Sequence, residues 1–197
     1  MAIVASHDPS RYSVVVRRPA RQGWGVLIRR EAAGDAEAIR AVTAAAFGKP
    51  GAAGPPAEAT LVDELRGGDA WLPRLSLVAL DAAGDVAGHV VCSRGHVADA
   101  PVLALGPLSV SPDSQRRGVG SALMHAVLGT AEALGEPLVA LLGSPGYYGR
   151  FGFRLSGEYE IEPPRPQWRP HFQVRVLSAY RPGLRGTFAY PEPFDRT

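Results

Sequence analysis

The stretch that most restricts the fold is LSVSPDSQRRGVGSALM, from Leu108 to Met124. It begins with alternating apolar and polar residues, the pattern of a half-buried strand. A Pro-Asp-Ser turn follows, and then two arginines, two glycines and an apolar run at helical spacing. The chain is therefore expected to pass from a strand into a helix within a few residues, with Gly118 and Gly120 at the start of the helix.

The start of this helix is a candidate anion site. The first amide groups of a helix have no partner inside it and carry partial positive charge. Glycines at 118 and 120 leave those amides accessible, and Arg116 and Arg117 add charge-assisted donors. We therefore predict a cradle for a pyrophosphate at residues 115–120. Close packing of the helix on the sheet is the alternative explanation of the two glycines.

Three classes of diphosphate ligand compete for this cradle. A dinucleotide site needs a third glycine, where the chain has Leu123, and an acidic residue after the next strand, where it has Gly143. A nucleoside triphosphate loop needs Gly-Lys followed by Ser or Thr, which the sequence lacks. Coenzyme A is the candidate that remains.

Composition restricts the class of protein. The 197 residues are 46% hydrophobic and suit one filled core, and a net charge of +2 with scattered basic residues predicts no nucleic-acid or membrane partner. The lone Cys92 excludes an internal disulfide framework. No apolar run is long enough to span a membrane, and the first thirty residues lack the apolar core of a signal peptide. No cluster of His, Cys or carboxylate residues has the spacing of metal ligands. We expect a cytoplasmic protein without a metal.

The remaining pattern predicts an α/β sandwich around a mixed sheet. Asp35 is the predicted N-cap of the first helix. Gly106 and Pro107 interrupt a strand and predict a bulge, because proline has no amide hydrogen for the ladder.

Residues 1–22 are poorly patterned and are set apart as an extension. The predicted strands span residues 26–29, 75–80, 86–92, 102–110 and 137–142, and the predicted helices begin at 35, 59 and 118.

Two sequence segments of the chain resemble the motifs of a known family. LGPLSVSPDSQRRGVGSALM followed by SPGYYGRFGF resembles the GNAT superfamily of acyl-CoA-dependent N-acetyltransferases, and within it the YhbS-like group. The superfamily signature Q/R-x-x-G-x-G/A is met by Gln115, Gly118 and Gly120. The resemblance implies one α/β domain over 23–197, with a mostly antiparallel mixed sheet, a bulged central strand and helices on both faces. Residues 155–197 would complete the acceptor side.

The resemblance also implies where acetyl-CoA binds as co-substrate. Its pyrophosphate would lie on the amides of residues 116–121, and its pantetheine arm would pair like an added strand with the backbone of 108–110. The bulge would splay two neighbouring strands and leave a slot for the thioester. The contacts implied are Leu108, Ser109, Val110, Gln115, Arg116, Arg117, Gly118, Val119, Gly120, Ser121, Ser144 and Tyr148.

Tyr148 is the candidate general acid. In the superfamily a tyrosine four residues before a terminal Gly-Phe often protonates the leaving thiolate, and Tyr148 has that spacing to Gly152. A phenol, with a pKa of about 10, is protonated at neutral pH and able to donate. The alternative is that Tyr147 and Tyr148 only pack. Relatives often have an asparagine motif before this tyrosine, where Gly143 and Ser144 stand here.

The candidate general base is His89, because its ordinary pKa is near neutrality and its strand neighbours the slot. The alternatives are a core histidine and a water relay, and His96 and Asp99 are weaker candidates.

The expected reaction is direct attack by a primary amine of a small molecule or peptide, in a monomer or homodimer. The alternative is a non-catalytic acyl-CoA sensor or interaction module. The acceptor would lie near residues 48–56 and 162–172. There Trp168, His171 and Phe172 either line a pocket or hold the C-terminal segment.

Overall fold

The computed structural model describes residues 25–49, 51 and 54–196, so the predicted extension over 1–22 lies outside the described residues. Nine strands and four α-helices are found in the described chain, joined by short 3₁₀ turns. The strands are β1 Leu27–Arg30, β2 Trp71–Leu80, β3 Val86–Val97, β4 Ala100–Val110, β5 Leu138–Leu142, β6 Arg154–Leu155, β7 Ile161–Glu162, β8 Phe172–Val176 and β9 Gly186–Ala189. The helices are α1 Ala36–Phe47, α2 Ala57–Arg66, α3 Val119–Ala133 and α4 Pro145–Tyr148.

The sheet is mixed and mostly antiparallel, as the resemblance implied. Its strand order is β1-β2-β3-β4-β5-β8-β6, and β9 pairs with both β3 and β7. Only the β4–β5 and β7–β9 pairs among the described strands are parallel. The observed β2, β3 and β4 are longer than the sequence pattern predicted. Strands β2 and β4 begin earlier, with exposed residues such as Arg74 and Pro101, whereas β3 continues past its apolar run through residues 93–97, of which only His96 is exposed.

Helices cover both faces of this sheet, which confirms the predicted layers. The apolar residues of α3 recur every three or four positions, so Leu123, Val127 and Ala131 are all buried against one face. Helices α1 and α2 bury Ile39 and Val62 against Val78 on the opposite face. The sheet therefore carries two apolar faces, each closed by helices.

Asp35 stands at the N-cap position of α1, as predicted, but its side chain makes no hydrogen bond that caps the helix. Its carboxylate instead accepts a hydrogen bond from the amide of Ala32 at 2.7 Å and forms an ion pair with the guanidinium of Arg29. Asp35 therefore joins the end of β1 to the turn before α1.

The predicted bulge is present at Gly106 and Pro107. Val90 of β3 lies opposite Leu108, whereas Cys92 lies opposite Leu105. One residue of β3 thus faces two residues of β4, which is the definition of a bulge. Gly106 has a φ of 143°, a region that favours glycine over residues with a side chain.

Strands β4 and β5 separate close to this bulge. Their pairing is confined to Leu103 with Val139 and Ala104 with Ala140. Beyond Ala104, β4 continues along β3, while β5 stays paired with β8 as far as Leu142. The two parallel strands therefore leave an open slot between residues 105–110 of β4 and the end of β5.

The C-terminal segment covers the sheet face beside α1 and α2. Strand β9 pairs with the end of β3, and Phe188 and Tyr190 pack against the buried Phe172. Trp168 packs edge-on against Tyr190, with ring centroids 6.2 Å apart. Of the two alternatives for Trp168 and Phe172, the structure therefore favours holding the C-terminal segment, while His171 is exposed.

Gly95 is the position on β3 where this segment comes closest. A Cβ placed on Gly95 would lie 2.9 Å from the Phe188 ring and 3.0 Å from the Ala189 carbonyl oxygen. We expect Gly95→Ala to lower the free energy of unfolding by about 1–3 kcal/mol, because the backbone of β9 must shift. Gly129→Ala is the control. It lies on α3 with no atom within 4 Å of the added methyl, and should stabilise by about 1 kcal/mol. Equal denaturation midpoints for the two variants would contradict this packing.

Candidate active site

The predicted anion cradle lies at the start of α3. The first hydrogen bond of the helix runs from the amide of Ala122 to the carbonyl of Gly118, at 2.9 Å. The amides of 119–121 come before it and have no helical carbonyl behind them. Arg116 and Gly118 both have positive φ, 59° and 87°, the kind of backbone found in anion-binding turns. The segment thus directs unpartnered amides and the positive end of the helix dipole outwards.

The side chain of Gln115 braces this loop. Its Nε2 donates a hydrogen bond of 3.1 Å to the carbonyl oxygen of Val110, the last residue of β4. This hydrogen bond therefore connects the end of β4 to the start of the cradle. The Val110 carbonyl already has a partner in this arrangement.

Hydrogen-bond alternation decides which backbone groups of β4 face the slot. The amide of Ser111 donates to the carbonyl of Ala87 on β3, and hydrogen-bonded pairs of an antiparallel ladder recur every second residue. The backbone of Ser109 therefore faces β3, and its Oγ lies 3.1 Å from the Thr43 hydroxyl. Of the three residues predicted to pair with pantetheine, only Leu108 and Val110 offer backbone groups to the slot.

Tyr148 lies at the end of β5, beside this slot. Its ring crosses Gly143 so closely that a Cβ on that glycine would be 2.3 Å from Cε2 of the tyrosine. The ring also packs edge-on against Tyr147 and Phe153. Burial, and to a smaller degree the neighbouring Tyr147, raise the pKa of Tyr148 to about 12. The phenol is therefore protonated across the neutral range and is able to donate a proton.

The backbone below Tyr148 is held on both sides. The amide of Gly143 donates to the carbonyl of His171, and its carbonyl accepts from Nε2 of the buried Gln173, each at 2.9 Å. The Ser144 carbonyl accepts the amides of both tyrosines and so begins α4. Gly143 and Ser144 are thus engaged here through their main-chain groups.

The position of Tyr147 does not follow from the sequence pattern. Its hydroxyl lies over the start of α3, where a Cβ added to Gly120 would be 2.9 Å from the hydroxyl oxygen. Tyr147 therefore reaches the cradle, whereas the Tyr148 ring packs across Gly143 at the end of β5. The sequence shows that the two tyrosines are adjacent, but which ring points to which site depends on how α4 packs on α3.

His89 is fully buried on the α1 side of the sheet, within a polar cluster. Its Nε2 lies 2.8 Å from the Ser76 hydroxyl, which in turn donates to the Glu31 carboxylate. Because that carboxylate takes the hydroxyl proton, the imidazole proton belongs on Nε2. Burial lowers the pKa of His89 despite the nearby Glu31. This environment favours a packing role for His89 over the predicted role of base.

Glu31 is the charged end of this cluster. Burial alone would raise the pKa of Glu31. The His89 imidazole, whose Nε2 lies 3.7 Å from the carboxylate, and hydrogen bonds from Arg66 and Ser76 outweigh burial and lower the pKa to about 2. The cluster therefore keeps its charge at neutral pH and joins β1 to β2, β3 and α2. His96, the weaker candidate base, lies opposite Pro101 and Ala189, at the far end of β4 from the slot.

Neither a metal cluster nor a membrane-spanning helix is found in the part of the chain that the structure describes. No group of three or more His, Cys, Asp or Glu side chains is placed to hold a metal ion there. Within the same residues, none of the helices is long and apolar enough to cross a membrane.

Comparison with known proteins identifies the family. Residues 43–153 match the model of the acetyltransferase (GNAT) family. The N-acetyltransferase YhbS of Escherichia coli K12 is 33% identical over 174 residues, which is 87% of this chain and 99% of YhbS. The chain belongs to the GNAT family of acetyltransferases. The predicted enzyme class, an acyltransferase, follows from this membership.

Two solved GNAT structures are similar over nearly the whole fold. The crystal structure of E. coli YhbS in complex with CoA matches with a TM-score of 0.80 and 32% identity, over 91% of this chain and 95% of that one. A GNAT acetyltransferase from Brucella melitensis in complex with acetyl-CoA matches with a TM-score of 0.70 and 35% identity, over 87% and 99% of the two chains. The GNAT fold is thereby established for this chain.

Gly143 is expected to be a positioning residue for Tyr148. In Gly143→Ala the added methyl overlaps the Tyr148 ring, so the ring and its hydroxyl must shift. We expect kcat to fall by about 10²-fold, the usual cost of a displacement of about 1 Å. The Michaelis constant for acetyl-CoA should change little, because the cradle is untouched.

Gly146→Ala is the matched control, on the helix that carries Tyr148. Its added methyl would meet nothing closer than the Ser144 hydroxyl, at 3.8 Å. Steady-state kinetics and thermal melts of both variants check the assignment. A Gly143→Ala variant that is folded and as fast as Gly146→Ala would contradict it.

Proposed function

We propose that this GNAT protein transfers the acetyl group of acetyl-CoA to a primary amine of a small molecule or peptide by direct attack. The observation that carries the proposal is the slot beyond Ala104, which has a protonated tyrosine at one end and unpartnered amides at the other. The two similar structures support it, since one is in complex with CoA and the other with acetyl-CoA.

In this proposal, three parts of the chain hold the co-substrate. The amides of 119–121, flanked by Arg116 and Arg117, take the pyrophosphate at the positive end of α3. The amide and carbonyl of Leu108 and the amide of Val110 pair with the amide groups of the pantetheine arm. Gln115 acts indirectly, because its side chain is bonded to the Val110 carbonyl and keeps the loop in place.

The chemistry then needs few groups. The neutral amine nitrogen attacks the thioester carbonyl carbon, the C–S bond breaks, and the sulfur leaves as a thiolate that takes a proton from the Tyr148 hydroxyl. The amine loses one proton, which restores the phenol through solvent, so protons balance over the cycle. Because the pKa of Tyr148 is raised to about 12, its proton is present at every pH at which the protein is assayed.

The amine proton passes to water and not to His89. The His89 ring is fully buried, and its Nε2 is engaged with Ser76. A base must reach the proton that it takes, directly or through one water. Water bonded to backbone carbonyls along the slot meets that requirement without a side chain.

The acceptor is assigned to the face opposite α3. Successive side chains of β5 alternate between faces, so Leu141 is buried under α3 while Leu142 points the other way and is 41% exposed at the mouth of the slot. An acceptor whose amine is carried on an apolar group would cover Leu142. The monomeric or homodimeric state and the cytoplasmic location stay predictions.

The test of the proposal is a thiol-release assay. The protein is incubated with acetyl-CoA and a panel of primary amines, both small molecules and peptides with free amino termini. We expect at least one amine to raise the release of CoA thiol, with the acetylated amine as product by mass spectrometry. Tight binding of acetyl-CoA with no turnover on any amine would instead favour the non-catalytic sensor.

The two tyrosines should separate in kinetics. Tyr148→Phe keeps the ring contacts and removes the proton donor, so kcat should fall by roughly 10²-fold or more while the Michaelis constant for acetyl-CoA is nearly unchanged. Tyr147→Phe removes the hydroxyl over the cradle, so the Michaelis constant should rise and kcat should stay within a few-fold. Equal losses of kcat in both variants would show that the rings only shape the pocket.

A further inference from the structure

Arg150 holds a positive charge in a fixed place beside the cradle. Its guanidinium lies over the ring of Tyr147, 4.1 Å from the centroid, and 4.9 Å from the centroid of Phe151. Contacts of this kind are attractive, because the face of an aromatic ring is negative. The side chain is nonetheless exposed, so its donors are open to a ligand.

The two rings locate this charge relative to α3. Tyr147 reaches the first turn of the helix, since its hydroxyl lies beside Gly120. Phe151 reaches the second turn, where its ring packs edge-on against His125 with centroids 5.3 Å apart. Arg150 therefore lies above the first two turns of α3, next to the cradle and further from the slot.

Arg150 also has no carboxylate partner within the described part of the chain. The ion pairs formed there involve other arginines, and each of those joins a glutamate or an aspartate. Arg150 is held by aromatic rings alone, which fix its position and leave its charge uncompensated. A guanidinium in this state is suited to bind a phosphate through two parallel hydrogen bonds.

We propose that Arg150 binds the 3′-phosphate of coenzyme A and makes the site selective for coenzyme A over its 3′-dephospho form. The inference rests on the proposed function, since it places the pyrophosphate on the amides of 119–121. The ribose attached to that pyrophosphate carries the 3′-phosphate, so the phosphate is bound near the cradle and outside the slot. A phosphomonoester has close to two negative charges, more than each phosphate of a pyrophosphate bridge, and has no helix amides left to neutralise it.

A binding cycle tests this assignment. Affinities of coenzyme A and of 3′-dephospho-coenzyme A are measured by calorimetry for the wild type and for Arg150→Gln. We expect the variant to bind coenzyme A about 10-fold more weakly, as for one lost charge-assisted contact, and to bind the dephospho form with unchanged affinity. The preference of the wild type for the 3′-phosphate should fall by the same factor.

Arg154→Gln is the matched control. Arg154 is an exposed arginine four residues further along, on the edge strand β6, and its loss removes the same charge from the protein. It should change neither affinity, and thermal melts should show that both variants are folded. Arg150→Lys should recover only part of the affinity, because an ammonium lacks the planar pair of donors.

The outcomes separate the inference from the proposed function. An equal loss for both ligands in Arg150→Gln would mean that Arg150 acts on the pyrophosphate, and no loss for either would mean that it touches no ligand. Either result overturns the inference while leaving coenzyme A binding intact. A wild type that binds neither ligand would overturn the proposed function itself.

Discussion

The bulge at Gly106 and Pro107 is the constraint on which the rest of the site depends. It gives β4 one residue more than β3 in that part of the ladder, and the parallel pairing with β5 does not extend past Ala104. An unbroken pair would bury the backbone of both strands and leave no edge for a ligand. Because the strands separate, the groups of Leu108 and Val110 stay open, at the cost of two unpaired strand ends inside the sheet.

The neighbouring elements turn this opening into a site. Gln115 joins the end of β4 to the loop before α3, so the slot and the helix start keep a fixed separation. On the other side, Gly143 is held by β8 and lets the Tyr148 ring lie across the end of β5. The buried cluster of Glu31, Ser76 and His89 serves the frame, since it fixes the edge of the sheet under α1 and α2.

Features that depend on a few consecutive residues could be predicted from the sequence. The open helix start follows from glycines after a turn, and the bulge from Gly-Pro in a strand. The roles of the cradle and of Tyr148 stay predictions. Features that depend on distant contacts could not be predicted. The direction of the Ser109 backbone depends on the register with β3, and the use of Trp168 and Phe172 depends on where β9 pairs. The burial of His89 and the place of Tyr147 over α3 likewise require the folded chain.

Amide hydrogen exchange with and without coenzyme A tests most directly the central claim, that the slot and the helix start form one binding site. Bound ligand should slow exchange at Leu108, beside the slot, and at residues 119–121, at the cradle. The amide of Ser109 should not change, since its backbone already faces β3. Saturating ligand that leaves residues 119–121 unprotected, or that protects only residues away from the slot, would contradict the account.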